Sequence, residues 1–142
     1  MLAAVGLTVA LTACLTWTPA PPRDQWLTDT NNVRAYNGVP VIPWETELER
    51  MAQDWADSLC ARHVFVHRDL AAVLSGPYGA WQSLGENIAR GPAGWPQVFD
   101  AWVLSRPHFA GLIEPRWTAT GVARRQCDDG NTYWVQDFAQ GF

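Results

Sequence analysis

With 142 residues and 48% hydrophobic side chains, the chain is long enough for one domain with a core and short for two. Its net charge is −4 and its ten basic residues are scattered, with no basic block or basic-aromatic stripe, so nucleic-acid binding is not expected. Nine Trp in so short a chain suggest a core or cleft walled by large aromatic faces.

Leu2 to Thr12 is an uncharged apolar run, too short for an ordinary transmembrane helix and similar to the apolar region of a secretory signal. It ends in Leu11-Thr12-Ala13-Cys14, which matches a bacterial lipobox, although no Lys or Arg precedes the run. The expected reading is a lipoprotein signal over 1–14 with lipidation at Cys14; a plain signal peptide and a buried N-terminal helix are the alternatives. Residues 15–23 are Pro-rich and read as a tether, leaving 24–142 as one domain. Cys60 and Cys127 are then an even pair in an exported chain, which suggests one disulfide, with two free buried thiols as the alternative.

From Asp24 a helix is expected through Tyr36, with Leu27, Asn31 and Arg34 on one face and Asn37-Gly38 as its stop. Val39 to Trp44 holds two prolines and reads as an extended docking arm. The next helix starts with a capping box, Thr46 and Glu49, and buries Leu48, Met51, Ala52, Trp55 and Leu59. His63-Val64-Phe65-Val66-His67 favours an extended backbone and lacks the Glu of an H-E-x-x-H site, so a zincin is rejected. His63, just past the helix end, suits a capping role. Ser75 to Gly79 and Gly91 to Gly94 are loops.

Pro96 fits the first turn of a helix with Val98, Ala101 and Trp102 facing inward. Arg106-Pro107 breaks it, and a short helical turn carries His108, Phe109, Leu112 and Ile113. Thr118 to Arg124 and Thr132 to Phe138, joined by Asp128-Asp129-Gly130-Asn131, form a hairpin. In its second strand Trp134, Gln136 and Phe138 share one side, and Tyr133, Val135 and Asp137 the other. Helices early and strands late indicate an α+β fold, a small antiparallel sheet covered by helices.

Gly85-Glu86-Asn87-Ile88-Ala89 resembles the G-E-N-[IL]-A signature of the CAP superfamily, the SCP domain of cysteine-rich secretory, antigen 5 and pathogenesis-related 1 proteins. Trp102 and Ser105-Arg106-Pro107-His108 are similar to the W-x-x-S-x-x-H of its bacterial branch. Gly121-Val122 and Tyr133-Trp134-Val135-Gln136-Asp137-Phe138 resemble its closing strands, and Asn32-x-Arg34, Pro43-Trp44 and Val66-His67 its opening. The resemblance covers roughly Gln25 to Phe138. It implies a three-layer α-β-α sandwich with a central cleft, lined in eukaryotic members by two His and two Glu that in some cases hold zinc or another divalent cation. By motif, His67, Glu86 and His108 take three of those places. The second Glu would fall near Ser105 and is missing.

His67, Glu86, Asn87 and His108 are therefore the candidate binding residues, with His67 and His108 as candidate ligands for Zn2+ or another divalent cation. Asn87 reads equally as a partner orienting Glu86 or as a turn residue. Ser105 lacks the third group and oxyanion donors a nucleophile needs, and reads better as the N-cap of the turn carrying His108. The expected function is an extracytoplasmic module, membrane-held through its lipid only. Its cleft would bind a small apolar ligand or lipid, a divalent ion or an envelope partner. The alternative is a metal-dependent hydrolase or peptidase using His67, Glu86 and His108; whether any residue is catalytic stays open.

Overall fold

The last strand read from the sequence is the centre of the molecule. A computed structural model describes residues 23–76, 80–91 and 93–142; Cys14, the signal segment and all of the expected tether except Arg23 lie outside them. In chain order the elements are α1 (Arg23–Tyr36), α2 (Thr46–Arg62), α3 (Leu70–Leu74), β1 (Ser83–Gly91), α4 (Trp95–Leu104), α5 (Arg106–Leu112), β2 (Ala119–Gln126) and β3 (Thr132–Gln140). The strands form one antiparallel sheet in the order β1-β3-β2. β3 is buried along eight of its nine residues because helices cover both faces.

Alternation of side chains across the pleat sorts the core into two layers. On one face Ile88, Ala123, Tyr133 and Val135 pack against Ala52, Ala56 and Leu59 of α2. Beside them Leu48 and Met51 pack on Ala119 and Ala139. On the other face Val122, Trp134 and Phe138 meet Trp26 of α1, Trp95, Val98, Phe99 and Trp102 of α4, and Leu112 of α5. Five of the nine Trp, at 26, 44, 95, 102 and 134, interlock here, with the ring centroids of paired rings 5.6 to 6.3 Å apart. The fold is α+β, a three-layer α-β-α sandwich, as expected.

Gly121 lets α2 lie on the sheet: a Cβ there would fall 2.3 Å from the backbone nitrogen of Glu49. The arm before α2 makes a parallel bridge from Trp44 to Thr120 and receives both amide bonds of Asn31 at Ile42, each 2.9 Å. Asn31 thus pins the arm, and the buried stripe of α1 is Trp26, Thr30 and Arg34 rather than Leu27, Asn31 and Arg34. Fully buried Arg34 donates to the carbonyls of Pro40, Leu112 and Glu114, tying α1 to the end of α5.

The bridge also moves the expected cap. Residues 43–45 are held extended by Thr120, so Glu45 is the N-cap, its carboxylate accepting from the Glu47 amide at 3.3 Å, while Thr46 is already helical. Glu49 instead accepts from the Trp44 indole at 2.9 Å. At the other end His63 adopts φ 52°, and the amides of His63 and Val64 reach back to Cys60 and Leu59, a Schellman closure made by backbone rather than by the ring. Cys60 and Cys127 form a disulfide that joins the end of α2 to the end of β2. Among the described residues no helix is long and apolar enough to cross a membrane.

Candidate functional site

Gly85 to Ala89 lies within β1, a strand at the edge of the sheet that the Gly and Asn concealed in the sequence. Its conformation sends Glu86 and Asn87 to opposite faces. On the α2 face, the extended segment after α2 crosses β1 and alternates: His67 points out, with 57% of its side chain exposed, and Arg68 points in, with 7% exposed. His67 Nδ1 lies 2.8 Å from Glu86 Oε1. On the other face Asn87 Nδ2 donates to the His108 carbonyl at 3.1 Å, anchoring the start of α5.

His108 Nδ1 lies 2.8 Å from Ser105 Oγ. Ser105 does occupy the N-cap position of α5, but its hydroxyl makes no cap bond; it holds the imidazole instead. Burial pushes His108 below the ordinary histidine value, and the charge of a protonated His67 opposes protonation further. His108 is therefore a neutral imidazole at physiological pH.

Arg68 is the site residue the sequence reading passed over. Its Nε donates to Glu86 Oε2 at 2.8 Å, its Nη1 to the Met51 carbonyl at 3.0 Å, and its Nη2 to Asp137 Oδ2. Glu86 and Asp137 are register partners on β1 and β3, so two carboxylates, 1% and 0% exposed, face α2 side by side. Like charges so placed repel, and Arg68 between them compensates. Burial opposes the guanidinium charge, but Asp137 and Glu86 outweigh it and raise Arg68 above its usual value. Asp137 is less well served. Burial, with Glu86 adding to it against the pull of Arg68, pushes it up to about 7, and its Oδ1 has no hydrogen-bond partner. A signal was present, since Arg directly follows His67 and Asp ends the Tyr-Trp-Val-Gln-Asp run, but their meeting depends on strand register.

His67 and the segment carrying His108 are thus both held by neighbouring residues of the edge strand β1, one through Glu86 and the other through Asn87. Both oxygens of Glu86 are engaged, Oε1 by His67 and the Arg68 amide (3.4 Å) and Oε2 by Arg68 Nε. Among the described residues no three or more His, Cys, Asp or Glu stand together as a metal cage. Each of the two imidazoles has its Nδ1 already partnered. Two such rings do not make up a three-ligand catalytic zinc centre. His63 stands apart, 3.8 Å from Asp129 near the disulfide.

Residues 27–138 match the Cysteine-rich secretory protein family, CAP. The chain is 30% identical over 129 residues to the Repressed by EFG1 protein 1 of Candida albicans, covering 80% of this chain and spanning 42% of that protein's length. Its fold is similar to an outer surface protein from Borrelia burgdorferi (TM-score 0.75, 18% identity, 84% of this chain and 92% of that one). It is also similar to NaASP2, crystallised with Zn2+ (TM-score 0.64, 15% identity, 84% and 82%). With the family matched over nearly all the described residues, the chain belongs to the CAP family of secretory proteins.

Proposed function

We propose that the chain is an exported binding module of the cell envelope whose cleft takes a divalent cation on His67 and His108. The observation that carries this reading is the state of Glu86: buried, with both oxygens engaged, it orients His67 and is not free as a base. Neutral His108 and the outward His67 supply two imidazole donors, suited to zinc-like ions. NaASP2, of the same fold, was crystallised with Zn2+. A bound zinc would act there as a Lewis acid on a coordinated ligand. Zinc titrated calorimetrically into the purified protein should bind, and His67→Ala or His108→Ala should abolish it; no heat with the parent protein overturns the reading.

A metal-dependent hydrolase using His67, Glu86 and His108 is the weaker reading, since it needs a carboxylate that Arg68 already holds. Hydrolysis of a peptide or ester that vanishes in Glu86→Gln while zinc stays bound would restore it. Membrane attachment rests on Cys14: a lipid mass at Cys14 and membrane partitioning are expected, both lost in Cys14→Ser, and a soluble mature protein starting elsewhere contradicts it.

One observation favours an apolar ligand as well. A groove of about 320 Å³ runs between α1 and the α4–α5 pair, lined by Asn32, Val33, Tyr36, Asn37, Val103 and Phe109. It is separate from the His67–Glu86 contact, so the apolar ligand expected in the cleft is better accommodated here. A fluorescent fatty-acid analogue should bind the parent protein and not Val103→Asp; equal binding by both removes this reading.

A further inference from the structure

We propose that Arg68 is the positioning residue of the cleft, fixing through Glu86 which ring nitrogen of His67 keeps a free lone pair. The extended segment delivers ring and lock in one step, His67 facing solvent and Arg68 buried behind it. Nε of Arg68 anchors Glu86 Oε2 at 2.8 Å, and the Arg68 amide reaches Oε1 at 3.4 Å, so the carboxylate cannot turn away from His67. Met51 and Asp137 hold the guanidinium from the other side.

An ionised carboxylate only accepts hydrogen bonds. The 2.8 Å contact between Glu86 Oε1 and His67 Nδ1 therefore requires a proton on Nδ1. Neutral His67 then presents Nε2 with its lone pair free. Because Arg68 supplies the counter-charge, Glu86 is withdrawn as a ligand, and the cleft offers nitrogen rather than oxygen donors. Such a set favours zinc-like ions over Ca2+ and Mg2+, which require oxygen. This consequence for ion choice rests on the cation reading above; the role of Arg68 in setting the tautomer does not.

The test is nitrogen-15 NMR of the histidine rings in the metal-free protein near pH 8, with His67→Gln assigning the signals. The parent should show His67 protonated on Nδ1 and bare at Nε2. Arg68→Gln combined with Asp137→Asn, which removes both members of one ion pair, should lose that signature. Asp137→Asn alone, which leaves Arg68 on Glu86, should keep it. Arg68→Lys, with charge but no fork, should retain it in part, and serves if the double variant does not fold. His108, held by Ser105, should be unmoved throughout.

A parent His67 protonated on Nε2 overturns the proposal, as does an unchanged signature in the double variant or in Arg68→Lys. Joint movement of the His67 and His108 signals would reduce Arg68 to a structural role and equally overturns it. In the double variant zinc affinity should weaken roughly 10–100-fold, the usual cost of losing a group that orients a ligand, while Asp137→Asn alone should leave it unchanged. If the tautomer is as expected and the parent binds no zinc, the cation reading fails and the role of Arg68 stands.

Discussion

Glu86 and Asn87 are neighbours in the chain, yet they hold the two histidine-bearing segments from opposite sides of the sheet. Glu86 Oε1 lies 2.8 Å from the His67 ring, and Asn87 Nδ2 donates to the His108 carbonyl at 3.1 Å. A pleated strand turns successive side chains to opposite faces, so one dipeptide on an edge strand reaches both helical layers. The two contacts are thus placed by register: a slip of one residue would exchange the Glu86 and Asn87 side chains between the faces and release both histidine-bearing segments.

The two contacts differ in energy because only one is charged and buried. Glu86→Gln replaces the charged acceptor of Arg68 and His67 by a neutral amide, with Asp137 left to pair Arg68, and should cost about 2 kcal/mol. Asn87→Ala removes one neutral hydrogen bond and should cost about 1 kcal/mol. Urea unfolding of both variants measures the difference. Equal costs would mean that Asp137 alone compensates Arg68.

Asp137 should make stability depend on pH in an unusual direction. Its folded value, about 7, lies above its ordinary 3.8, so between those values the folded protein binds more protons than the unfolded one. Its contribution is therefore most favourable below the unfolded value and is lost as pH rises through about 7. Asp137→Asn removes this slope. Relative to the parent, the variant should gain a few kcal/mol of unfolding free energy between about pH 4 and 8, read by urea titrations across that range. Lowered His108 works oppositely, losing stability as pH falls below its ordinary 6.5, but it is common to both proteins and cancels in the difference. A difference that stays flat with pH would mean that Arg68 keeps Asp137 ionised throughout.

The hairpin and the α2 helix were legible because their signals are local. Thr132 to Val135 is a run of β-branched and aromatic residues just after an Asp-Gly turn, and Leu48, Met51, Ala52 and Leu59 recur at helical spacing. β1 was not legible: Gly85 and Asn87 are poor strand formers, and the strand persists because β3 pairs with every residue from Ser83 to Gly91. The capping box misled because bonds to Thr120 hold residues 43–45 extended, a contact some 75 residues away in the chain. His67, Glu86 and His108 could be named from motifs, but Arg68 and Asp137 could not, since strand register and the fold over the sheet bring them together.

Gly121 should tolerate no side chain. A Cβ would meet Glu49 N at 2.3 Å and Leu48 C at 2.6 Å, and both are backbone atoms of α2 that cannot rotate away. Gly121→Ala must therefore lift the first turn of α2 from β2, disturbing buried Leu48 and Met51. The expected cost is about 1–3 kcal/mol, the range of overpacked cores. Thermal unfolding reads it, and a melting temperature equal to the parent's would show that α2 shifts freely.

The Cys60–Cys127 disulfide should matter more to the unfolded chain than to the His67–Glu86 contact. It spans 67 residues of sequence, including α3, β1, α4 and α5, and closing such a loop restricts the unfolded ensemble by about 4 kcal/mol in the chain-entropy treatment. Cys127 is buried beside Ala56, Leu59 and Tyr133, and Cys60 packs against the same cluster, so loss of the bond opens no path to the histidines. Replacing both cysteines by Ala should lower the urea midpoint by an amount equivalent to about 2–5 kcal/mol, while the calorimetric zinc response of the folded protein stays unchanged. Parallel loss of stability and of zinc binding, under conditions where the variant is folded, would instead tie the end of α2 mechanically to His67, four residues beyond the helix cap at His63.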